Sequence, residues 1–200
     1  MKPIGEDGEV GSVVTLKELS NEKFVISQVV RGGMGEVYQL VPVASYATAL
    51  ALKTYQKDAS REQFIREAGI WISLGDHPYI ARAFCYLEWQ TKPSIISSWY
   101  GQPATVETAN TWTAKQLVDF TVHLIAALQY AHSVGHVLHQ DIKPANILLD
   151  EHDEEFETMM VPFWPKIHPN LTWPFPVNLS TDRQLAALES RWKRISTQGS

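Results

Sequence analysis

The stretch His139-Gln140-Asp141-Ile142-Lys143-Pro144-Ala145-Asn146-Ile147-Leu148-Leu149 limits what this chain can be more than any other part of it. A lysine stands two residues after an aspartate, an asparagine five residues after it, and an apolar strand follows. An aspartate accepts the hydrogen bond of an attacking hydroxyl, a lysine neutralises a phosphoryl group in transit, and an asparagine oxygen ligates a hard cation such as magnesium. Phosphoryl transfer needs all three, which makes Asp141, Lys143 and Asn146 the candidate catalytic set.

The chain around this loop is ordinary globular material: 200 residues, 44% hydrophobic and 20% charged, enough for one sizeable core or two small lobes. Its formal charge of -5 leaves no basic footprint for nucleic acid. No stretch approaches the roughly 18 apolar residues of a membrane span. Cys85 is the single cysteine, so neither an internal disulfide nor a cysteine-built zinc site can form. A soluble, cytoplasmic protein is expected.

Residues 1–21 are glycine-rich and acidic and read as a flexible lead-in. Strand signals follow at Phe24-Val25-Ile26 with Val29-Val30, at Val37 to Val41, at Thr48 to Leu52, at Ala83 to Leu87 and at Ser94 to Ser97. They predict an antiparallel sheet of about five strands, with Gln90-Thr91-Lys92-Pro93 as a hairpin turn. One helix interrupts them, opened by Ser60 with Gln63 and carried by Phe64, Ala68 and Trp71 as far as Gly75. Residues 101–110 look like a linker, and Thr113 with Gln116 then caps a longer helix ending at Ser133-Val134-Gly135. After Asp150 the texture changes to an acidic run and a proline-tryptophan segment, closed by a helix capped by Thr181 that carries Leu185, Leu188, Trp192 and Ile195.

Two further groups of residues carry chemistry. Arg31-Gly32-Gly33-Met34-Gly35-Glu36-Val37-Tyr38 sets three glycines at a strand-to-strand turn, where backbone N–H groups can approach phosphate oxygens. Taken alone, such glycines make a plain hairpin as readily. Lys53 ends a strand as a point charge suited to phosphates, and Glu67 on the first helix is its natural carboxylate partner. By themselves they read equally as a snorkelling strand lysine and a solvated helix charge.

With the glycine loop, Lys53, Glu67, His77-Pro78 with Ile80, and the Asp141 loop in this order, the sequence resembles a protein kinase, most similar to the bacterial serine/threonine type. The resemblance covers about residues 22–150. It implies an α+β fold with a five-stranded antiparallel N-lobe at 22–100 and a truncated, mainly helical C-lobe at 101–150, followed by a divergent tail at 151–200. It also implies ATP and Mg2+ as cofactors and a protein serine or threonine hydroxyl as acceptor. Carried onto this chain, Gly32, Gly33 and Gly35 cradle phosphates, and Val37, Ala51 and Leu148 sandwich the adenine. The backbone near Ser97 to Trp99 reads the adenine's edge, with Ile96 as gatekeeper. Asp141 becomes the catalytic base, Lys143 the phosphate-neutralising lysine that favours serine or threonine, and Asn146 a metal ligand.

The chain departs from that pattern at several points. Val30 stands at the family's first loop glycine, which predicts weaker nucleotide binding. Gln140 stands where many members carry arginine and supplies no cation for a phosphorylated activation loop. The family's Asp-Phe-Gly, whose aspartate chelates magnesium, is absent from residues 147–200. The usual interval from Asn146 lands near Met159, and Glu155 and Glu157 belong to a run of five acids that reads as a solvated surface. Ala-Pro-Glu and the later substrate-lobe helices are missing too, since fifty residues remain after Asp150. His132, His136 and His139 do not read as a zinc site, because Gly135 ends the helix between them. Three readings stand: a serine/threonine protein kinase, a pseudokinase serving as nucleotide sensor or scaffold, and a truncated or frame-disrupted kinase fragment.

Overall fold

The computed structural model describes residues 8–32, 35–44, 48–55, 61–134, 138–139, 142–150 and 157–160. They divide into two compact units. One takes the described chain as far as Gly69 together with Ala83–Trp99, and the other takes Ile70–Arg82 with the described residues from Tyr100 onward. Ile70–Arg82 joins the second unit because Ile70, Leu74 and Ile80 are buried in that unit's core.

The first unit is a sheet of six antiparallel strands in the order β1-β2-β3-β4-β6-β5. These are β1 (Val13–Leu16), β2 (Glu22–Gly32), β3 (Gly35–Pro42), β4 (Leu50–Tyr55), β5 (Ala83–Trp89) and β6 (Lys92–Ser98). The five expected strands are all present, and β1 is the addition. Val14 and Leu16 alternate with outward residues and are only 3% and 2% exposed in the core with Phe24, Ile26 and Leu40. Residues 13–19 are therefore part of the sheet and core, where a flexible lead-in was expected. Ser20 and Asn21, both at positive φ, turn the chain back so that Leu16 lies opposite Glu22. Gln90 and Thr91 repeat this turn between β5 and β6, which leaves Lys92 and Pro93 inside β6.

Helix α1 (Arg61–Ser73) carries Phe64, Glu67 and Ala68 buried in the first unit. Its predicted cap at Ser60 lies outside the described residues. Phe64 packs against Tyr55 of β4 with ring centroids 5.1 Å apart.

In the second unit the short helix α2 (Val106–Ala109) starts at a capping box of Thr105 and Thr108, within the stretch expected to be a linker. Helix α3 (Ala114–Ser133) begins as predicted: Thr113 accepts from the Gln116 backbone N–H, and the Gln116 side chain accepts from the Thr113 N–H at 2.9 Å. Ala127 and Ala131 bury its inner face against Ile70, Leu74, Ile80 and Met160. The Trp71 indole donates to the Ala81 carbonyl at 2.6 Å, and the Tyr130 hydroxyl to the Leu74 carbonyl at 2.9 Å. The His77 ring lies tilted beside that of Tyr130 with centroids 4.4 Å apart, and burial lowers its pKa below the usual imidazole value.

Two more strands, β7 (Ile147–Asp150) and β8 (Glu157–Met160), pair antiparallel. Met160 exchanges backbone hydrogen bonds with Tyr79 and Ala81 at 3.0 and 2.9 Å, so β8 belongs to the second unit rather than to a divergent tail. On the other side of β7, Ala104 donates to the Ile147 carbonyl at 2.7 Å and Leu149 to the Gln102 carbonyl at 3.0 Å. Gly101 starts this approach, and a Cβ there would lie 2.4 Å from the Leu149 oxygen. The proline-tryptophan segment and the helix predicted from Thr181 lie outside the described residues. No described helix is long and apolar enough to cross a membrane.

The place of β1 in the core gives a direct test. Leu16→Ala should lower stability by about 2–4 kcal/mol, measured by urea unfolding; an unchanged midpoint would return residues 1–21 to the status of a lead-in.

Candidate active site

Most of the predicted nucleotide-binding residues lie on the first unit's sheet, and strand register decides which of them share a face. Directly paired residues of antiparallel strands point the same way, and neighbours along a strand point oppositely. Val37 pairs with Lys53, and Ala51 with Ser97, so these four lie on one face of β3, β4 and β6. Leu52 pairs with Ile96 on the other face, where both are fully buried with Tyr38 and Leu40. The expectation of Ile96 as gatekeeper is corrected on this point: its side chain is on the core face, and Ser97 is its counterpart on the Lys53 face.

The backbone of this region is also more committed than expected. β6 lies between β4 and β5, so Ser97 is paired on both sides. The Trp99 N–H donates to the Ala49 carbonyl at 3.2 Å. Those hydrogen bonds hold the strand together, and they withdraw the Trp99 N–H from the role of reading a ligand's edge.

Lys53 sits with its Nζ 5.4 Å from the centre of the Tyr55 ring, a cation–π contact. Glu67 is 4% exposed. Burial of a carboxylate is costly unless a cation or hydrogen-bond donors meet it, so its depth in the fold marks it as more than a solvated helix charge.

The hairpin between β2 and β3 closes on the pair Gly32 and Gly35, while Gly33 lies outside the described residues. Gly35 has φ +145, and a Cβ there would stand 2.0 Å from the Thr54 carbonyl oxygen. No side chain fits that position. Gly32 is different: an added Cβ would meet nothing closer than 3.9 Å. Val30 continues β2 opposite Val37, an extended position that suits a β-branched residue.

A charged cluster beside this hairpin escaped the sequence reading. The Glu36 carboxylate accepts from Arg31 Nε at 3.0 Å, from the Tyr38 hydroxyl at 2.9 Å and from Lys92 Nζ at 2.9 Å. The hydrogen bond from Lys92, then that from Tyr38, lowers the Glu36 pKa to about 2. Burial and the bond to Glu36 push Tyr38 up to about 12. Arg31 and Glu36 flanking the glycines were a visible hint; Lys92, on another strand, left none.

In the second unit Lys143 is extended and precedes a single 3-10 turn, Pro144–Asn146, with proline at its first position. The Asn146 N–H closes that turn on the Lys143 carbonyl at 2.9 Å, and the Asn146 side chain is buried. The backbone thus brings Lys143 and Asn146 together. Leu148 is half-buried in β7 between Pro103 and Met159. Asp141, Gln140 and His136 lie outside the described residues.

Magnesium takes about six oxygen ligands. Among the described residues Asn146 is the sole predicted ligand, and no group of three His, Cys, Asp or Glu comes together. Met159, at the counted position of the second ligand, lies in β8 opposite Leu148. A thioether is a poor partner for a hard cation. Among the described residues Asn146 thus offers one oxygen of that shell.

The family profile described as protein kinase domain matches residues 23–161. The chain is 30% identical over 143 residues to the serine/threonine-protein kinase PknK of Mycobacterium tuberculosis, an alignment covering 64% of this chain and 12% of that protein. It is 33% identical over 138 residues to PknD of Chlamydia trachomatis, covering 60% and 14%. Among solved structures, the PknI kinase domain of Mycobacterium tuberculosis superposes with a TM-score of 0.55 at 26% identity, covering 71% of this chain and 60% of that one. The chain thus matches about an eighth of the length of these curated relatives.

Two outcomes follow from the hairpin geometry. Gly35→Ala should cost more than about 3 kcal/mol in chemical denaturation, while Gly32→Ala should stay within roughly 0.5 kcal/mol; equal effects would contradict the close approach to Thr54. Glu36 titrates lower in the folded chain than its ordinary 4.5, so its contribution is present above that value and is lost as pH falls toward about 2. The stability difference between the parent and Glu36→Gln should therefore hold from about pH 7 to 5 and shrink below about 4.5.

Proposed function

The chain belongs to the protein kinase family, matched over residues 23–161, and from that premise we propose that it binds ATP and transfers a phosphoryl group to serine or threonine hydroxyls of proteins. The observation that carries the proposal is the shared sheet face of Val37, Ala51, Lys53 and Ser97. It supports a nucleotide laid along that face, with Val37 and Ala51 as the apolar surface beneath the adenine. Lys53, charged and set beside the glycine hairpin, meets the phosphates, and buried Glu67 is the carboxylate proposed to orient it.

Asp141 is the proposed base. It takes the proton of the acceptor hydroxyl as that oxygen bonds to the terminal phosphorus and the bond from phosphorus to the bridging oxygen breaks, releasing ADP. Lys143 offsets charge on the phosphoryl group in transit. Magnesium, when bound with ATP, would supply charge neutralisation at the phosphates, and Asn146 is the residue proposed to meet it. No step is assigned to the metal, since the described residues do not complete its shell. A cytoplasmic location accords with the lone cysteine, Cys85, buried and with its thiol pKa pushed up to about 12 chiefly by burial.

Met159, at the counted position of the magnesium-binding aspartate, favours a second reading: a pseudokinase that holds nucleotide without turning it over. Radiolabelled ATP with a generic basic protein substrate separates the two. The kinase reading expects transfer to serine or threonine that falls about a hundredfold or more in Asp141→Asn. No transfer, accompanied by an ATP-induced rise in melting temperature that is the same in EDTA, selects the pseudokinase; no transfer and no shift refutes nucleotide binding altogether.

A further inference from the structure

We infer that Glu36 is a positioning residue that holds the two limbs of the glycine hairpin at the spacing needed to meet the phosphates of the bound nucleotide. The inference rests on the ATP-binding reading above.

Five hydrogen bonds with four residues converge on this one residue. Its backbone N–H donates to Thr54 Oγ1 at 3.3 Å, and the same hydroxyl donates back to the Glu36 carbonyl at 3.3 Å. Thr54 is fully buried in β4 and directly follows Lys53, so the exit limb of the hairpin, Gly35-Glu36, is anchored next to the phosphate-binding lysine. The Glu36 carboxylate then reaches in two directions. One oxygen accepts from Lys92 and Tyr38, which are fixed in β6 and β3, and the other accepts from Arg31 on the entry limb. The entry limb is thereby tied to a point that is itself tied to the sheet.

The two ties differ in strength. Side-chain exposure is 69% at Arg31, against 22% at Glu36 and 35% at Lys92. An exposed pair yields to water and salt, whereas a part-buried carboxylate with two donors does not. Arg31 and Glu36 also face each other across the β2–β3 ladder, so their ion pair reinforces the backbone pairing of the two limbs at this point. Backbone N–H groups stabilise phosphate only within hydrogen-bond distance, so this spacing governs the phosphate end of the nucleotide and leaves the adenine end alone.

Charge alone makes the opposite prediction. A carboxylate near a polyphosphate repels it, and Glu36→Gln would free Arg31 to pair with phosphate, so a purely electrostatic role would make ATP bind more tightly in the variant. The positioning role makes it bind more weakly. Calorimetric titration of the full chain with ATP and separately with adenosine, in magnesium-containing buffer, distinguishes them.

Glu36→Gln should weaken ATP about tenfold while adenosine stays within about twofold, because adenosine lacks the phosphates the hairpin meets. Arg31→Gln, a change at a mostly exposed side chain that leaves folding intact, should weaken ATP about two- to threefold with adenosine again unchanged. Tighter or unchanged ATP binding in both variants, or equal loss for ATP and adenosine, overturns the inference while the ATP-binding reading stands. A parent protein that binds neither ligand overturns both.

Discussion

Where β3 lies against β4, Gly35 approaches the Thr54 carbonyl so closely that no Cβ fits, and two residues on Val37 faces Lys53. That single register governs the candidate nucleotide site. It sets the exit of the glycine hairpin beside Lys53 and puts Ala51 on the same face. Through β6 it also brings Ser97 to that face and turns Ile96 inward. A slip of one residue would turn each of these side chains to the other side of the sheet. The buried face resists such a slip, because Leu40, Leu50 and Leu52 would all leave the core.

The second unit depends on a comparable anchor. Met160 packs with Ala127 and Ala131 of α3 and pairs its backbone with Tyr79 and Ala81. Small residues on the helix let the β8 end come close, and the hydrogen bonds satisfy a backbone that would otherwise be costly to bury. β7, held between β8 and the Gly101–Ala104 segment, then carries Leu148 and positions the turn that joins Lys143 to Asn146. The Pro144–Asn146 turn is thus continued into a paired strand even though the chain's sequence lacks Asp-Phe-Gly.

Much of this is legible in the sequence. Thr113 and Gln116 announced α3 through a local capping box, and the five strands were readable from alternation and turn residues. Local signals of that kind survive in one dimension. β1 was missed because a four-residue strand in a glycine-rich acidic stretch has too few alternations to stand out, and its burial comes from Phe24 and Ile26 on the neighbouring strand. Ile96 was misplaced for a related reason. Period-two alternation says that Ile96 and Ser97 face opposite ways, but only the pairing with β4 says which of them joins Lys53.

By itself, the sequence determined the chemistry available: the order of the glycine hairpin, Lys53, Glu67, Asp141, Lys143 and Asn146, and the absence of an Asp-Phe-Gly string after them. Those are matters of residue type and short spacing, which a chain carries wherever it folds. Tertiary structure decided which side chains share a face, which backbone donors are already spent, and that Lys92 comes round to meet Glu36. Such facts depend on strand register and on contacts between residues far apart in the chain, and these become definite when burying the core selects one arrangement of strands over the rest.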